Sequence, residues 1–495
     1  MKFLLLNPPF LPLYSRFSRS PAVTKSGTIY YPIWHAYAAG VLEQAGFEVK
    51  LVDAPAAKLS REDCLRIAKN FAPDVVVTYT ATPSIFNDVQ VAADIKEALP
   101  NSFAVLTGPH ATALPKETLE LDSRLDAVAR AEYDYTLVEL GKSLPSRSAL
   151  GSIGGLTYRD GAEIRSNCER RFAEADALDS MPFVSSVYKK HLRVEDYFYA
   201  HCRYPVVSFF TSRGCYAKCS FCQYPKLMFG NKQRQRSPEN IVAEFEYVQK
   251  ELPQTREVLI DDDTFSFHQE HTHAFCELMI SRKIKIPWTI EGRANIEYET
   301  LALLKRAGCR MIVVGFESAD NQILKNMRKG VSHERMLKFV EDAKRAKVMI
   351  HACFMAGNPG ETRQTLETSL AFAKEIMADT CQFFPLMVYP GTEAYDWALK
   401  NGYLTTTDFG QWLTPEGMHN TIVSTPQLSA RELVEFCDYA RRAYYLSPAY
   451  LWYKLKRVAF NPEELSKTFK SARTFAKYLL FKNTLAKPVL SSGNS

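Results

Sequence analysis

With 495 residues, 46% of them hydrophobic and 23% charged, the chain is long enough for two or three domains that each bury a core, and its balance excludes a disordered or collagen-like protein. Its net charge of +6 is modest, and its eleven cysteines, odd in number and without a disulfide rhythm, fit a reducing compartment. Met1-Lys2 runs into Phe3-Leu4-Leu5-Leu6 and stops at Asn7-Pro8-Pro9; that is too short for a secretory leader, and no run approaches a membrane span, so a cytoplasmic protein is expected.

From residue 1 to about 150, short apolar strands alternate with helical patterns: Phe3–Leu6, Trp34–Ala45, Val49–Val52, Arg61–Phe71, Val75–Thr78, Ile85–Leu99, Phe103–Thr107, Ala127–Ala129 and Tyr135–Leu140. Parallel strands need helical crossovers and become apolar on both faces, so this rhythm predicts an α/β domain with a doubly wound, flavodoxin- or Rossmann-like sheet. Ligands sit beyond the carboxyl ends of such strands. There the chain places Asn7-Pro8-Pro9, Asp53, Tyr79-Thr80-Ala81-Thr82, Gly108-Pro109-His110-Ala111 and Arg130-Ala131-Glu132. A histidine after a strand is as often a polar crevice residue as a ligand, and both readings of His110 stand.

Residues 151–205 read as a β-hairpin, Leu156–Arg159 and Glu163–Arg165 about an Asp160-Gly161 turn, followed by an irregular charged connector from Cys168 to Tyr204. The strand–helix rhythm restarts at Val206 and continues to about residue 400. After the apolar run Val206–Phe210 comes Gly214-Cys215-Tyr216-Ala217-Lys218-Cys219-Ser220-Phe221-Cys222. Three thiolates on so short a loop converge on one point, cannot pair off without leaving one over, and suit a soft metal centre. A [4Fe-4S] cube with one open iron and a zinc site both use such thiols; three unrelated buried thiols are the bland alternative. Later strand tips carry Asp261-Asp262-Asp263-Thr264, Glu291-Gly292-Arg293, Gly315-Phe316-Glu317-Ser318, Gly357-Asn358-Pro359-Gly360-Glu361 and Tyr389-Pro390-Gly391-Thr392. Helical patterns at Pro238–Leu252, Thr300–Ala307, His333–Ala346 and Thr365–Met377 fall between them. Six such units predict a partial (β/α)6 barrel with its site at the C-terminal face of the strands.

The C-x3-C-x2-C spacing, with Phe221 before the third cysteine, resembles the signature of the radical S-adenosylmethionine (SAM) enzymes. The resemblance implies that Cys215, Cys219 and Cys222 hold a [4Fe-4S] cluster whose open iron chelates SAM. It also implies SAM contacts from Asp262 and Asp263 to the amine, Arg293 to the carboxylate, Glu317 and Ser318 to the ribose, and the Gly357 turn to the adenine. Reductive cleavage of SAM to a 5′-deoxyadenosyl radical follows for the family, with reduced flavodoxin or ferredoxin as electron donor. The N-terminal tips resemble the cobalamin-binding domain of the class B members, with Thr80, Gly108, Pro109, His110 and Glu132 as candidate cobalamin contacts. The D-x-H-x-x-G motif that brings a histidine to cobalt in other cobalamin proteins is absent.

Beyond the irregular stretch Asn401–Gln427, the spacing predicts a helix over Ala430–Tyr445. From Arg431 onward the chain carries twelve basic residues against five acidic ones, and Tyr450–Arg457 and Phe475–Lys482 mix basic, aromatic and aliphatic residues. Residues 401–495 are therefore read as a basic helical region. A peripheral membrane contact and a helix packed on the barrel with a solvated basic face both fit that pattern, whereas nothing motif-like supports nucleic acid. Pro182–Lys190, Val194–Phe198 and Asp261–Phe265 resemble a subgroup associated with hopanoid and archaeal lipid biosynthesis, a likeness that runs from Met1 to about Tyr445. It implies ring contraction of a lipid-linked sugar to a cyclitol head group. A cobalamin-dependent C-methyltransferase or oxidative cyclase, and a non-catalytic Fe-S or cobalamin carrier, are the alternatives.

Overall fold

The computed structural model describes residues 1–145 and 147–459. Seven strands form the N-terminal sheet: β1 (Lys2–Asn7), β2 (Glu48–Asp53), β3 (Val75–Tyr79), β4 (Phe103–Thr107), β5 (Ala127–Ala129), β6 (Leu156–Asp160) and β7 (Glu163–Ser166). Their order is β2-β1-β3-β4-β5-β6-β7, the first five parallel and the last two antiparallel. Alternation along each strand sorts the core onto two faces. Phe3, Leu5, Val75 and Val77 meet α1 (Ile33–Gln44) on one side, while Leu4, Leu6 and Val76 meet α2 (Arg61–Phe71) and α3 (Ile85–Ala98) on the other. The expected hairpin thus extends this sheet.

Helix α1 is apolar almost all round because it is covered on both sides. The sheet packs on one side. On the other lies the connector, which is less irregular than its charges predict: it contains α4 (Ala175–Ser180) and α5 (Val184–His191), the latter burying Val184, Val187 and Tyr188 at helical spacing. Tyr37 of α1 also reaches the second domain, where its hydroxyl donates to the Phe210 carbonyl at 3.2 Å.

The second domain is a six-stranded, all-parallel sheet in sequence order: β8 (Val206–Phe209), β9 (Glu257–Ile260), β10 (Trp288–Gly292), β11 (Cys309–Glu317), β12 (Met349–Ala356) and β13 (Thr380–Pro385). Right-handed crossovers between consecutive neighbours place every helix on one side, which curls the sheet into an open barrel. The crossovers are α6 (Pro238–Glu251), α7 (Gln269–Ser281), α8 (Tyr298–Arg306), α9 (His333–Arg345) and α10 (Arg363–Ile376). Ser237, Ser332 and Thr362 cap three of them.

A buried ion network clamps the two domains. Arg213 pairs with Glu132 and, at 2.7 Å, with Asp134, while Arg234 reaches the other Glu132 oxygen at 2.8 Å. Residues 8–32 form a strap that crosses from β1 over the barrel mouth before α1 begins. At the far edge, α11 (Ala430–Tyr445) runs along β13, and the Tyr444 hydroxyl donates to the Ala378 carbonyl at 2.5 Å. Helix α12 (Pro448–Ala459) follows. Phe475–Lys482 lies outside the described residues. Among the described residues, no helix is long and apolar enough to cross a membrane.

Candidate functional site

The thiol loop leaves the end of β8 and is held from three sides. Gly214 sits at φ +87°, and a Cβ there would collide with the Lys232 carbonyl, so only glycine lets the loop lie against that backbone. The Ser220 amide donates to Met327 and its carbonyl accepts from Ala394, both at 3.0 Å. Burial pushes the Cys215 thiol up to about 11 and drives Cys222 up as well. Buried thiols of this kind ionise only beside a strong cation. Cys219 is half-buried, with the Arg293 guanidinium 3.8 Å from its sulfur. Among the described residues, no three His, Cys, Asp or Glu side chains converge on a point that would hold a single metal ion. The expected convergence on one point is therefore not found. A four-iron cube does not require it, since each thiolate takes a different iron. Three thiols on one loop, Cys215 buried and Cys219 and Cys222 half-buried, fit such a cluster.

Beside the loop, the tips of β11 and β12 leave buried polar atoms without partners. Glu317 ends β11 in the left-handed region, φ +65°, where the register with β12 slips, and this bulge turns its side chain inward. One carboxylate oxygen pairs with Lys329 at 2.9 Å and the other has no partner. Glu361 accepts from the Gly357 and Asn358 amides at 2.5 and 2.9 Å, and burial pushes it up to about 7. Its second oxygen, the Asn358 side-chain oxygen and the Ser220 hydroxyl are buried and unpartnered too. Four orphaned polar atoms, on the β11 and β12 tips and the thiol loop, suit a ligand rich in hydroxyl and amino groups, which SAM is. Gly357, at φ +110°, passes so close to α11 that a Cβ would lie 2.9 Å from Leu433. Ser318 is occupied locally, its hydroxyl accepting from the Asp320 amide at 3.2 Å. Phe221 packs under the Lys329 ammonium, 6.0 Å from its ring centre.

The aspartate run divides its work. Asp262 accepts from the amides and hydroxyls of Thr211 and Ser212 at 2.5 to 3.1 Å, which uses all its acceptor positions and fastens the β8 tip to β9. Asp261 and Asp263 instead face Arg19, a strap residue with no motif to announce it. Arg19 contacts Asp261 at 2.7 Å, Glu291 at 3.1 Å and Asp263 at 3.6 Å. Burial raises all three carboxyls, and their mutual repulsion adds to the rise of Glu291. On either side of Arg19, the Ser18 carbonyl accepts from Tyr224 at 3.1 Å, and the Ser20 hydroxyl meets Tyr389 and His419 at 3.0 and 2.7 Å. The strap therefore lies across the barrel mouth, next to the cluster loop. Arg293 donates to the Lys329 carbonyl and lies over the Tyr216 ring.

At the N-terminal tips, Thr80 donates to the Thr107 carbonyl at 2.7 Å, and a Cβ on Gly108 (φ +106°) would collide with the Thr80 carbonyl. Pro109 starts a short helix over Pro109–Ala113. His110 meets the Thr82 hydroxyl at 3.1 Å, lies edge-on to Phe409, and is pushed by burial down to about 3, hence neutral. Thr80, Gly108, Pro109 and His110 thus come together. Glu132 stands apart from them, committed to Arg213 and Arg234. Hydroxyls, peptide groups and a neutral imidazole suit the amide-fringed corrin of cobalamin. The crevice over β1 and β3 is filled by the strap itself: Arg16 is buried on Asp88 at 2.8 Å, and Phe17 stacks on Tyr79 at 3.9 Å. The short helix after Gly108 packs on Pro225–Phe229, the segment that follows Cys222. The cobalamin-side tips and the thiol loop are neighbours.

Residues 209–373 match the family model of the radical SAM superfamily, and residues 19–141 match the B12 binding domain. An uncharacterized methyltransferase of Pyrococcus horikoshii is 29% identical over 452 residues, covering 91% of this chain and 94% of the relative. The anaerobic magnesium-protoporphyrin IX monomethyl ester cyclase of Cereibacter sphaeroides is 26% identical over 442 residues, covering 87% and 69%. In fold, the chain is similar to the radical S-adenosylmethionine methyltransferase TsrM of Kitasatospora setae, solved with cobalamin and a [4Fe-4S] cluster bound: TM-score 0.63 at 18% identity, over 82% of this chain and 76% of that one.

Proposed function

We infer that this chain, a radical SAM enzyme carrying a B12-binding domain, is a C-methyltransferase that uses SAM, a [4Fe-4S] cluster and cobalamin. The observation that carries the reading is the adjacency of its two sites: the helix begun by Pro109 packs on the segment directly after Cys222. A methyl carrier held at the first and a cosubstrate held at the second would open on shared space. When bound, the three groups supply methyl transfer and one-electron chemistry.

The chain's own residues bind, orient and exclude. Cys215, Cys219 and Cys222 would hold the cluster. The free oxygen of Glu317 would accept from ribose hydroxyls while Lys329 fixes the other, and Asn358 and the Glu361 carboxyl would line the adenine side. Arg293, 3.8 Å from the Cys219 sulfur, would supply the cation for the SAM carboxylate. Asp262 acts through Thr211 and Ser212, a positioning part, and the strap keeps water from the mouth. The substrate is a small molecule, free or lipid-linked, and the reductant is a one-electron donor of the flavodoxin or ferredoxin class. Ring contraction of a lipid-linked sugar, expected from the sequence, finds no support in the relatives above, and methyl transfer is the reading that fits them.

The test needs no substrate. Anaerobically reconstituted protein carrying cobalamin is reduced and given SAM with a labelled methyl group. Labelled methylcobalamin, seen by absorbance and mass, is expected. Release of 5′-deoxyadenosine with no label on cobalamin would remove the methyltransferase reading and leave the cyclase-type reaction.

A further inference from the structure

Helix α12 has two faces of opposite character. On one, Tyr450 donates to the Asp379 carbonyl at 3.0 Å and Tyr453 to the Asp379 carboxylate at 2.6 Å. Tyr450 packs on Tyr444 and Tyr445 with ring centres 5.0 Å apart in both pairs. These contacts fix the helix against the start of β13, at the end of the barrel opposite the mouth. On the other face, Leu451, Trp452 and Leu455 are 53, 59 and 60% exposed, with Leu446 of the preceding turn 54% exposed. They fall at i, i+1 and i+4, a continuous apolar strip on a helix that is otherwise pinned.

The charges around that strip match one kind of occupant. Lys456 places its ammonium 4.9 Å from the Trp452 ring centre, and Lys454, at the edge between the two faces, reaches over the Tyr450 ring at 5.9 Å. From Pro448 to the last residue the sequence holds nine basic residues and two acidic ones. A protein partner with an apolar groove would need no such excess; an anionic bilayer draws it and takes the aromatic and aliphatic side chains at headgroup level.

We propose that the outer face of α12 is a docking surface for an anionic lipid bilayer, held there by Leu451, Trp452 and Leu455 with flanking lysines. The proposal is independent of the methyl-transfer reading. The full-length reconstituted enzyme is sedimented with vesicles of phosphatidylcholine alone and of phosphatidylcholine mixed with phosphatidylglycerol. Binding to the mixed vesicles that weakens with salt is expected. The Leu451→Ser, Trp452→Ser, Leu455→Ser variant should lose about tenfold or more of that binding. Lys454→Gln with Lys456→Gln should lose the preference for anionic lipid. Both should keep cluster absorbance and SAM cleavage without vesicles, which separates lost docking from lost fold. Absence of binding overturns the proposal, as does binding by the triple serine variant at the wild-type level, which would assign attraction to the charged tail alone. A dimer that the triple variant dissociates, without vesicle binding, overturns it in favour of a second copy.

Discussion

Arg19 of the strap and Glu291 of β10 meet at 3.1 Å across the boundary between the two domains, with Asp261 and Asp263 on the same guanidinium. Three carboxyls share one cation there, so its removal leaves like charges facing each other. Arg19→Gln should cost about 1–2 kcal/mol, less than the ~3–5 of a fully buried pair because Arg19 keeps 34% of its side chain exposed. Equilibrium dialysis should also show weaker SAM retention as the mouth loosens, and unchanged retention with an unchanged melting temperature would refute the latch.

Cys219→Ala should abolish cluster absorbance and SAM cleavage while circular dichroism stays near wild type. The side chain is only half-buried, so little packing is lost. Cleavage at an undiminished rate would disprove the cluster assignment.

Glu317 and Lys329 form a buried pair, and breaking one partner strands the other. Lys329→Met should lower stability by about 3–5 kcal/mol in thermal or denaturant unfolding. Glu317→Gln keeps shape and removes charge, and should weaken SAM binding by about 10- to 100-fold, the range for hydrogen bonds to a charged acceptor. Equal affinity in calorimetry would move the ribose contact elsewhere.

Glu361 titrates at about 7 in the fold because burial disfavours its carboxylate. A folded value above the unfolded one, about 4.3, means the fold binds this proton more tightly. Its stabilising effect is complete below the unfolded value and is lost as pH rises through 7. Glu361→Gln keeps the oxygen that accepts from Gly357 and Asn358. It should flatten the stability profile over that window by up to about 4 kcal/mol. An identical slope in wild type and variant would count against it.

Arg213 holds Glu132 and Asp134 at the domain clamp. Arg213→Met should cost about 3–5 kcal/mol and expose residues 151–205 to limited proteolysis before either domain melts. Cutting no faster than in wild type would mean that the strap and α1 hold the domains together without this clamp.

Periodicity made both sheets legible, since short apolar runs such as Phe3–Leu6 and Val75–Thr78 alternate with longer helical patterns. The thiol spacing made the cluster loop legible. Partnerships far apart in sequence were not: Arg19 is an ordinary arginine until the fold brings three carboxyls to it, and Arg213 until it meets Glu132. Asp262 looks like its neighbours in sequence, yet Thr211 and Ser212 take up its acceptors. Helices α4 and α5 hid in the connector because short helices carry too few turns for a pattern to rise above their charges.

The strap also sets an order of assembly. Ser20 rests on His419, 399 positions later, so this segment must wait for a lock made long after it. Arg16 and Phe17 settle on Asp88 and Tyr79 once the first domain folds, but until Asp261, Tyr389 and His419 have emerged during synthesis, Arg19 and Ser20 have no barrel to dock on. The closing of the barrel mouth is thereby tied to synthesis of the whole barrel, and a chain halted within it stays open.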